Sequence, residues 1–195
     1  MNYIDIIQPQ KSISKKTTQV VLVLAASWLL AISAQFSFNL PFSPVPITGQ
    51  TLVVLLLGAL LGKNRGMAAV GLYLFQGAIG LPVFAGGKSG FITLAGPTGG
   101  YLIGFIAAVY VVGILMELRY DKSFIYLGFS MLIGNIFIYI FGLFWLVQFV
   151  SEAQALQMGL IPFIVGDILK ILVGALVLGS SVKINEMIST RGWSS

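Results

Sequence analysis

The sequence predicts an all-α integral membrane protein with six transmembrane helices, and three observations lead to that fold class. Of the 195 residues, 57% are hydrophobic and only 9% are charged, against roughly 25% charged in ordinary soluble domains. The mean hydropathy is +0.98. The apolar residues form runs comparable to the ~20 residues that cross a bilayer. Such a chain cannot cover itself with polar groups, so its solvent must be the lipid bilayer.

Six apolar runs define the predicted helices, each bounded by charged residues or by Gly and Pro clusters. They lie at about 20–40, 48–62, 66–83, 98–117, 123–150 and 160–182. The second and third runs are separated only by GKNRG, from Gly62 to Gly66. We assign all six to one membrane domain, residues 1–195, because the sequence contains no separate polar domain and no detectable internal repeat.

Four polar or irregular segments precede or connect these runs. Residues 1–19 are cationic like the start of a signal peptide, but the following run is too long for a signal peptide's apolar core, so we expect a retained helix. The stretch 39–50 holds three prolines in six residues, which predicts an ordered loop. The stretch 84–97 connects the third and fourth helices, and 151–159 is predicted as the last outer loop.

The cationic residues are distributed unevenly between the two sides of the predicted bundle. Cytoplasmic loops of membrane proteins are enriched in Lys and Arg. With a cytoplasmic N-terminus, that side holds Lys11, Lys15, Lys16, Lys63, Arg65, Arg119, Lys122, Lys183 and Arg191. The opposite side holds Lys88 alone, and Lys170 lies inside the last run. The distribution predicts that both termini are cytoplasmic, in agreement with an even number of helices.

Composition also limits the chemistry. The chain has no Cys and no His, which excludes disulfides, thiolate and imidazole catalysis, and the usual transition-metal sites. A pI near 9.6 would fit nucleic-acid binding, but such a site needs a basic face with stacking aromatics. Here the basic residues lie mostly at the ends of apolar runs. We therefore expect no metal, no cofactor and no nucleic-acid partner.

The stretch PVFAGGKSGF, from Pro82 to Phe91, contains a partial phosphate-binding motif. A Walker A loop reads GxxxxGK[ST], and its glycine amides surround the phosphates. Gly87, Lys88 and Ser89 match the end of that pattern, but Pro82 stands where the first glycine is required. Proline has no amide hydrogen to donate. The motif also lacks a strand before it, so we expect no ATP binding in this chain.

Asp167 and Lys170 are the most informative residues of the sequence. They lie three positions apart in the last run, and therefore on one face of its helix. Charged residues inside a membrane span are functional-site hypotheses by default, because an unpaired charge there costs several kcal/mol. Either the two form an ion pair that only fixes packing, or they are part of a polar ligand site in the outer half of the bundle.

Other polar residues near the outer side carry weaker signals. Lys88 lies in a glycine-rich loop, where it is either an ordinary solvated lysine or a partner for a substrate carboxylate. Tyr101 lies close to that loop and fits a ligand contact or an interfacial aromatic belt. Neutral polar residues within or near the runs are typical of interhelical hydrogen bonds, and they are Gln35, Gln50, Gln76 and Asn135.

Four segments resemble one known family of membrane proteins. They are PFSPVPITGQTLVVLLLGALLG, GAIGLPVFAGG, GPTGGYLIGF and GDILK, and they follow the family's order. The family is BioY, the biotin-binding S components of energy-coupling-factor transporters, and the resemblance covers nearly the whole chain from the first helix onward. It implies a six-helix S-component fold in the cell membrane that captures biotin from outside. It also implies a transmembrane coupling protein and two cytoplasmic ABC-type ATPases as partners.

The resemblance also assigns roles to residues of this chain. Asp167 and Lys170 match the acidic and basic ligand contacts of the family's last helix. The loop from Gly86 to Ser89 lies where the family's pocket contacts fall, which gives Gly86, Gly87 and Lys88, with Tyr101 nearby, as predicted substrate contacts. The segment that covers the site corresponds to Phe42–Gln50, and its central residues are Pro44, Val45, Pro46, Ile47 and Thr48.

A partner-docking role falls on the first helix. Ser27 and Ala31 are small residues four positions apart, a spacing that lets another helix approach closely. By resemblance they correspond to the alanine pair through which S components dock on the coupling protein. Ser27 departs from alanine but stays small.

The predicted function is high-affinity biotin binding as the specificity subunit of an ATP-driven vitamin importer. Biotin carries a ureido group with two N–H donors and one carbonyl, an apolar bicycle and a carboxylate tail. We favour Asp167 and Lys170 at the ureido ring, while the ends that meet Lys88 and Lys170 stay open. The alternatives are an S component for another vitamin, an intramembrane enzyme with Asp167 and Lys170 as its acid/base pair, and an assembly subunit without a ligand.

Overall fold

The computed structural model describes residues 15–118 and 123–191 and is helical apart from one pair of two-residue strands. The predicted N-terminal segment up to residue 14, and Arg119 and Lys122, lie outside the described residues. The helices are α1 Lys15–Gln35, α2 Gln50–Ala78, α3 Phe91–Ala95, α4 Gly99–Leu118, α5 Phe124–Leu146, α6 Glu152–Gly159 and α7 Ile164–Arg191. The all-α class predicted from composition is confirmed.

Five stretches of the described chain are long and apolar enough to cross a membrane. They correspond to α1, α2, α4, α5 and the region Glu152–Gly179, which contains α6 and most of α7. Large apolar side chains stay exposed along these helices, among them Trp28, Ile125 and Phe144. Exposure of this kind suits a surface that faces lipid chains rather than water.

The longest of these stretches, α2, folds back on itself at Gly62. That residue has φ 73° and ψ 179° inside an otherwise helical segment, a conformation that only glycine adopts readily. Gln50 Nε2 donates to the Tyr73 hydroxyl, although 23 positions along a straight helix would separate them by about 34 Å. The two arms, 50–61 and 63–78, therefore run antiparallel. Each arm is shorter than the ~20 residues of a full span.

The fold of α2 changes the boundaries expected for the second and third runs. The predicted gap between the second and third helices, from Gly62 to Gly66, is reduced to one residue. The turn packs tightly on α4, since a Cβ added at Gly113 of α4 would lie 2.3 Å from the Lys63 backbone nitrogen. The second arm ends at Ala78 rather than at 83. Gly80 follows with φ 108°, and Pro82 cannot continue a helix.

Helices α2, α4 and α5 form the centre of the bundle, with α1 packed on α2 and α7 on α5. Glycines let the backbones approach closely, as expected where lipid offers no hydrophobic drive for association. An added Cβ at Gly104 on α4 would lie 3.0 Å from the Ile138 Cα on α5. One at Gly58 on α2 would lie 2.9 Å from the Val109 carbonyl oxygen on α4.

The proline-rich stretch is an ordered loop, as predicted, and a short ladder closes it. Strand β1, Ser37–Phe38, pairs antiparallel with β2, Ile47–Thr48. The Ser43 hydroxyl donates to the Met158 carbonyl at 2.8 Å, which ties the loop to the far end of α6. The loop therefore lies across the end of the bundle instead of extending the first helix to residue 40.

The predicted outer loop 151–159 is instead the helix α6. Its first turn has a capping box, in which the Ser151 hydroxyl accepts from the Gln154 amide and the Gln154 side chain accepts from the Ser151 amide. Two backbone donors at the helix start are thus satisfied. As a result α5 ends at Leu146 rather than at 150, and α7 begins at Ile164 rather than at 160, after a 3₁₀ turn at Ile161–Phe163.

The two small residues of α1 that are predicted to dock on the coupling protein, Ser27 and Ala31, face the interior of the chain. Ser27 is 0% exposed and Ala31 is 4% exposed, because α1 packs this face against α2. The Ser27 hydroxyl bonds its own helix, to the Leu24 carbonyl at 2.8 Å. Their small size lets α1 pack closely on α2, and partner docking through Ser27 and Ala31 stays a prediction.

Candidate functional site

A cavity opens at the end of the bundle that carries the proline-rich loop. Its walls come from that loop, the start of α2, the connection after α2, and the helices α4, α5 and α7. Aromatic and aliphatic side chains form most of the wall, and they include Phe84, Leu102, Phe105, Ile138 and Phe163. The charged side chains of the lining are few, namely Asp167, Lys170 and Lys88, and an apolar wall with a few directed polar groups is the usual composition of a small-molecule pocket.

The Asp167 carboxylate lies in the cavity wall and accepts four hydrogen bonds. Its Oδ1 accepts from Lys170 Nζ at 3.0 Å and from the Thr51 hydroxyl at 3.3 Å. Its Oδ2 accepts from Asn135 Nδ2 at 3.2 Å and from the Tyr139 hydroxyl. A carboxylate offers about four acceptor positions, and all four are used. Asp167 is only 4% exposed, so these donors replace the water that burial removes.

Lys170 uses all three of its N–H donors in the same cluster. Besides the bond to Asp167, its Nζ donates to the Thr51 hydroxyl and to the Thr48 carbonyl, each at 2.9 Å. Thr51 therefore contacts both charged groups at once. The bond to Thr48 reaches the strand β2, so Lys170 also links the last helix to the proline-rich loop.

The positions of these residues explain why the cluster forms there. Asp167 is in the first turn of α7, where the positive end of the helix dipole favours a negative charge. The spacing i, i+3 then brings Lys170 to the same face. The start of α2 supplies Thr51, and α5 supplies Asn135 and Tyr139 four positions apart. Three helices thus meet at one carboxylate.

Lys88 is a second cation of the cavity, and it lies on a different element. It is exposed and lines the cavity from the connection after α2. Its backbone carbonyl accepts from the Phe84 amide at 3.0 Å, but within the described part of the chain its ammonium group has no hydrogen-bond or ion-pair partner. Its charge is therefore free for a ligand, in contrast to that of Lys170.

The two glycines predicted as contacts shape the loop but do not line the cavity. Gly86 and Gly87 have φ values of 68° and 71°, and the Gly87 amide donates to Gln35 Oε1 at 3.1 Å. Gln35 Nε2 also donates to the Phe84 carbonyl at 3.3 Å. The end of α1 thereby holds the turn in place, and the turn presents Lys88 to the cavity.

Tyr101 lines the cavity as part of its wall. Its hydroxyl donates to the Gly159 carbonyl at 2.9 Å, and its ring lies against Gly142, where an added Cβ would be 2.4 Å away. The side chain is buried, so Tyr101 does not belong to an interfacial belt. Its ring is available to a ligand, while its hydroxyl is committed to the backbone.

The predicted covering loop contributes three of its five residues to the cavity. Val45, Pro46 and Thr48 line it, whereas Pro44 and Ile47 are not among the lining residues. Ile47 and Thr48 form strand β2, where neighbouring side chains point to opposite faces, so only Thr48 of this pair lines the cavity.

Thr51, Tyr139 and Gln50 line the cavity but were not predicted as ligand contacts. A usable signal existed for Tyr139, because Asn135 and Tyr139 are polar residues one turn apart in an otherwise apolar helix. Thr51 gives no such signal, since it lies 116 residues from Asp167 in the chain. Across the described residues, no three carboxylates gather into a group that could hold a metal ion.

Comparisons with known proteins agree on one family. The model of the BioY family matches residues 8–186. The biotin transporter BioY of Thermotoga maritima is 39% identical over 157 residues, covering 80% of this chain and 86% of that protein. The biotin transporter BioY of Rhizobium etli is 37% identical over 174 residues, covering 85% and 92%.

A solved structure has the same fold. It is the S-component for biotin from an ECF-type ABC transporter, and it matches with a TM-score of 0.79 at 25% identity, covering 88% of this chain and 95% of that one. The match by family model, by curated relatives and by fold extends over most of the sequence. The chain therefore belongs to the BioY family.

Proposed function

We propose that this chain is the biotin-binding specificity subunit of an energy-coupling-factor importer and that biotin occupies the cavity described above. The observation that carries the proposal is the arrangement of polar groups in that cavity. A buried cluster around Asp167 and Lys170 lies on one wall, the free cation of Lys88 lies on another element, and an apolar surface joins them. Biotin has a polar ureido ring, an apolar bicycle and a carboxylate tail.

The ureido ring fits the Asp167 cluster by exchange of hydrogen bonds. Every donor of Lys170 and every acceptor position of Asp167 is occupied, so a ligand must replace a bond that exists. Thr51 is the group best suited to yield, because its bond to Asp167 is long, at 3.3 Å. A ureido N–H then donates to Asp167 in place of the Thr51 hydroxyl, and the ureido carbonyl replaces the same hydroxyl as the acceptor of one Lys170 N–H. Asp167 and Lys170 therefore keep the same number of hydrogen bonds, so the exchange costs little free energy.

The carboxylate tail fits Lys88. Because Lys170 is neutralised by Asp167, an anion gains little from approaching it. Lys88 is exposed and unpaired among the described residues, so it offers its full charge to a carboxylate at the mouth. This division of roles assigns the ureido end of biotin to Lys170 and the acid end to Lys88, a choice that the sequence alone leaves open.

Because every hydrogen-bonding position of Asp167 and Lys170 is occupied, an enzyme that uses these two residues as its acid and base is also disfavoured. General acid/base catalysis requires a group that takes up and releases a proton next to the substrate. Both groups are instead held in a closed network of partners, which suits binding. The relatives reported above are transporters.

The chain is a multi-pass membrane protein, and we propose that it crosses the cell membrane six times as a single domain, residues 1–195. The reversal of α2 at Gly62 supports this count, because it divides the longest of the five apolar stretches into two antiparallel arms. An even number agrees with N- and C-termini on the cytoplasmic side, together with the segment 1–19. The cavity then opens outward.

Import requires an energy source, and we propose that partner subunits supply it. The GGKS segment does not form a Walker A loop, because Pro82 replaces its first glycine. A transmembrane coupling protein and two cytoplasmic ABC-type ATPases would drive the change from the outward to the inward state. Ser27 and Ala31 of α1 stay the predicted docking residues, and docking through them would require α1 to move away from α2, since both side chains are buried.

A calorimetric titration of the purified, detergent-solubilised protein with three vitamins tests the ligand. Saturable heat with biotin, and none with riboflavin or thiamine, is expected. Folded protein that gives no heat with biotin, or that binds another vitamin more tightly, would refute the proposal. Chemical conversion of bound biotin, followed by mass spectrometry, would support an enzyme instead.

A further inference from the structure

A second cleft runs between α1 and the second arm of α2, at the end of the molecule opposite the biotin cavity. We call it the α1–α2 groove. The biotin cavity involves Gln50, at the start of α2. The groove instead begins beside the turn of α2, at Asn64, and beside Lys16 near the start of α1. The two sites are therefore separated along the bundle axis, and the proposed function uses only one of them.

The polar and apolar residues of the groove are sorted by position along the helices. Its polar lining residues all lie near the helix ends, and they are Lys16, Gln19, Asn64 and Arg65. Two of the four are cations, and no Asp or Glu is among the described residues that line the groove. This end of the groove is therefore suited to an anion.

The remainder of the groove is apolar and follows the helices toward the middle of the bundle. Its lining residues there are Val20, Val23, Leu24, Ala68 and Leu72. Lys16 and Leu24 are eight positions apart, as are Asn64 and Leu72, so each helix contributes about 12 Å of wall. A cationic end continued by a parallel apolar channel is complementary to a molecule with an anionic head and a hydrocarbon tail.

We propose that the α1–α2 groove binds one anionic phospholipid, with its phosphate at Lys16 and Arg65 and an acyl chain along the apolar walls. Arg65 has five N–H donors, so a contact elsewhere in the chain leaves donors for a phosphate. Basic pockets between membrane helices hold anionic head groups in this way. The apolar length distinguishes a lipid from free phosphate, which would gain nothing from those walls.

Native mass spectrometry of the whole protein with phosphatidylglycerol and phosphatidylcholine of identical acyl chains tests the head-group end. We expect the wild type to retain phosphatidylglycerol in preference to phosphatidylcholine. One cation near an anionic lipid is worth roughly a fivefold change in affinity, so the double variant Lys16→Gln/Arg65→Gln should lose about 25-fold. Equal retention of the two lipids by the wild type, or an unchanged preference in the double variant, would overturn the proposal.

Lys63→Gln is the matched control. Lys63 lies on the same turn but pairs with Glu117 at 3.2 Å and does not line the groove. It removes one positive charge from the same end of the molecule, half of what the double variant removes, and we expect lipid preference to stay as in the wild type. A loss as large as that of the double variant would mean that only the general charge of this end matters, which contradicts a site.

Ala68→Phe tests the acyl-chain end. Ala68 is exposed in the groove wall, so a larger side chain fills the channel without disturbing the core. We expect lower retention of phosphatidylglycerol, and no competition from glycerol phosphate, which has the same anion without a tail. Effective competition by glycerol phosphate would reduce the site to an anion site and refute the lipid. A groove that instead receives the coupling protein would show no preference between the two lipids, which also refutes the proposal.

Discussion

Asp167 is tolerated inside a membrane span because its environment compensates the charge completely. Four donors from α2, α5 and α7 surround it, and Lys170 neutralises it. The sequence identifies both charged residues and their shared face from the spacing alone. It does not identify Thr51, because that contact depends on how distant segments pack, whereas Tyr139 carries a weaker signal in its spacing from Asn135.

Removing the Tyr139 hydroxyl is expected to destabilise the protein. Tyr139→Phe takes one donor away from a buried carboxylate, and a hydrogen bond to a charged group contributes about 1.5–3 kcal/mol. Thermal unfolding in detergent should show a lower midpoint than the wild type. Tyr110→Phe is the control, because Tyr110 is exposed on α4. If both variants unfold at the same temperature as the wild type, the Tyr139 bond adds nothing to stability.

Lys88→Met is expected to weaken binding of biotin but not of biotin methyl ester. An exposed ion pair contributes about 0.2–1 kcal/mol, so a loss of a few-fold, up to about fivefold, is predicted for the acid. The ester has no charge to lose. Calorimetry with both ligands measures the difference, and Lys63→Met serves as the control cation at the other end of the bundle. An equal loss for acid and ester would remove the carboxylate from Lys88.

At the scale of elements, the reversal at Gly62 determines where both arms of α2 lie. Gly62→Ala forces a side chain into a conformation that only glycine adopts readily, at a cost of about 1–3 kcal/mol. We expect a lower unfolding midpoint. Gly71→Ala should be neutral or stabilising, because nothing lies within 4 Å of its added Cβ and Ala favours helix over Gly. A lower unfolding midpoint for Gly71→Ala than for Gly62→Ala would contradict a glycine-specific turn at residue 62.

The packing of one face of α1 against α2 leads to a second prediction at the scale of elements. Ser27→Trp places a large side chain in a fully buried position, and such overpacking costs about 1–3 kcal/mol or more. Ala25→Trp, on the exposed face of α1, should be tolerated. The yield of folded protein in detergent measures both. Normal folding of Ser27→Trp would mean that α1 can open this face, as docking through Ser27 and Ala31 would require.

Local signals account for the elements that the sequence predicts and for those it misses. Charges and Gly/Pro clusters locate the apolar runs, and the three prolines of the 39–50 stretch predict its loop. The helix α6 could also have been found, since Ser151 and Gln154 carry the spacing of a capping box. The single-residue turn at Gly62 could not, because GKNRG is compatible with a longer loop and only packing on α4 tightens it.

For the whole molecule, composition is sufficient for the membrane class, and the resemblance of four segments is sufficient for the family. The cavity needs the three-dimensional structure. Its walls combine the proline-rich loop, the turn before Lys88 and four helices, and no spacing along the chain predicts that meeting. Gly86 and Gly87 show the difference, because both are predicted as substrate contacts, whereas of residues 86–89 only Lys88 lines the cavity.

The most direct test is a calorimetric titration of biotin into the wild type, Asp167→Asn and Glu117→Gln. Truncating a buried, hydrogen-bonded charge costs about 2–5 kcal/mol, so Asp167→Asn should bind between about 30-fold and about 4,000-fold more weakly. Glu117→Gln makes the same chemical change at the Lys63 ion pair, outside the cavity, and should bind like the wild type. Equal affinity in all three proteins would contradict a biotin site at Asp167.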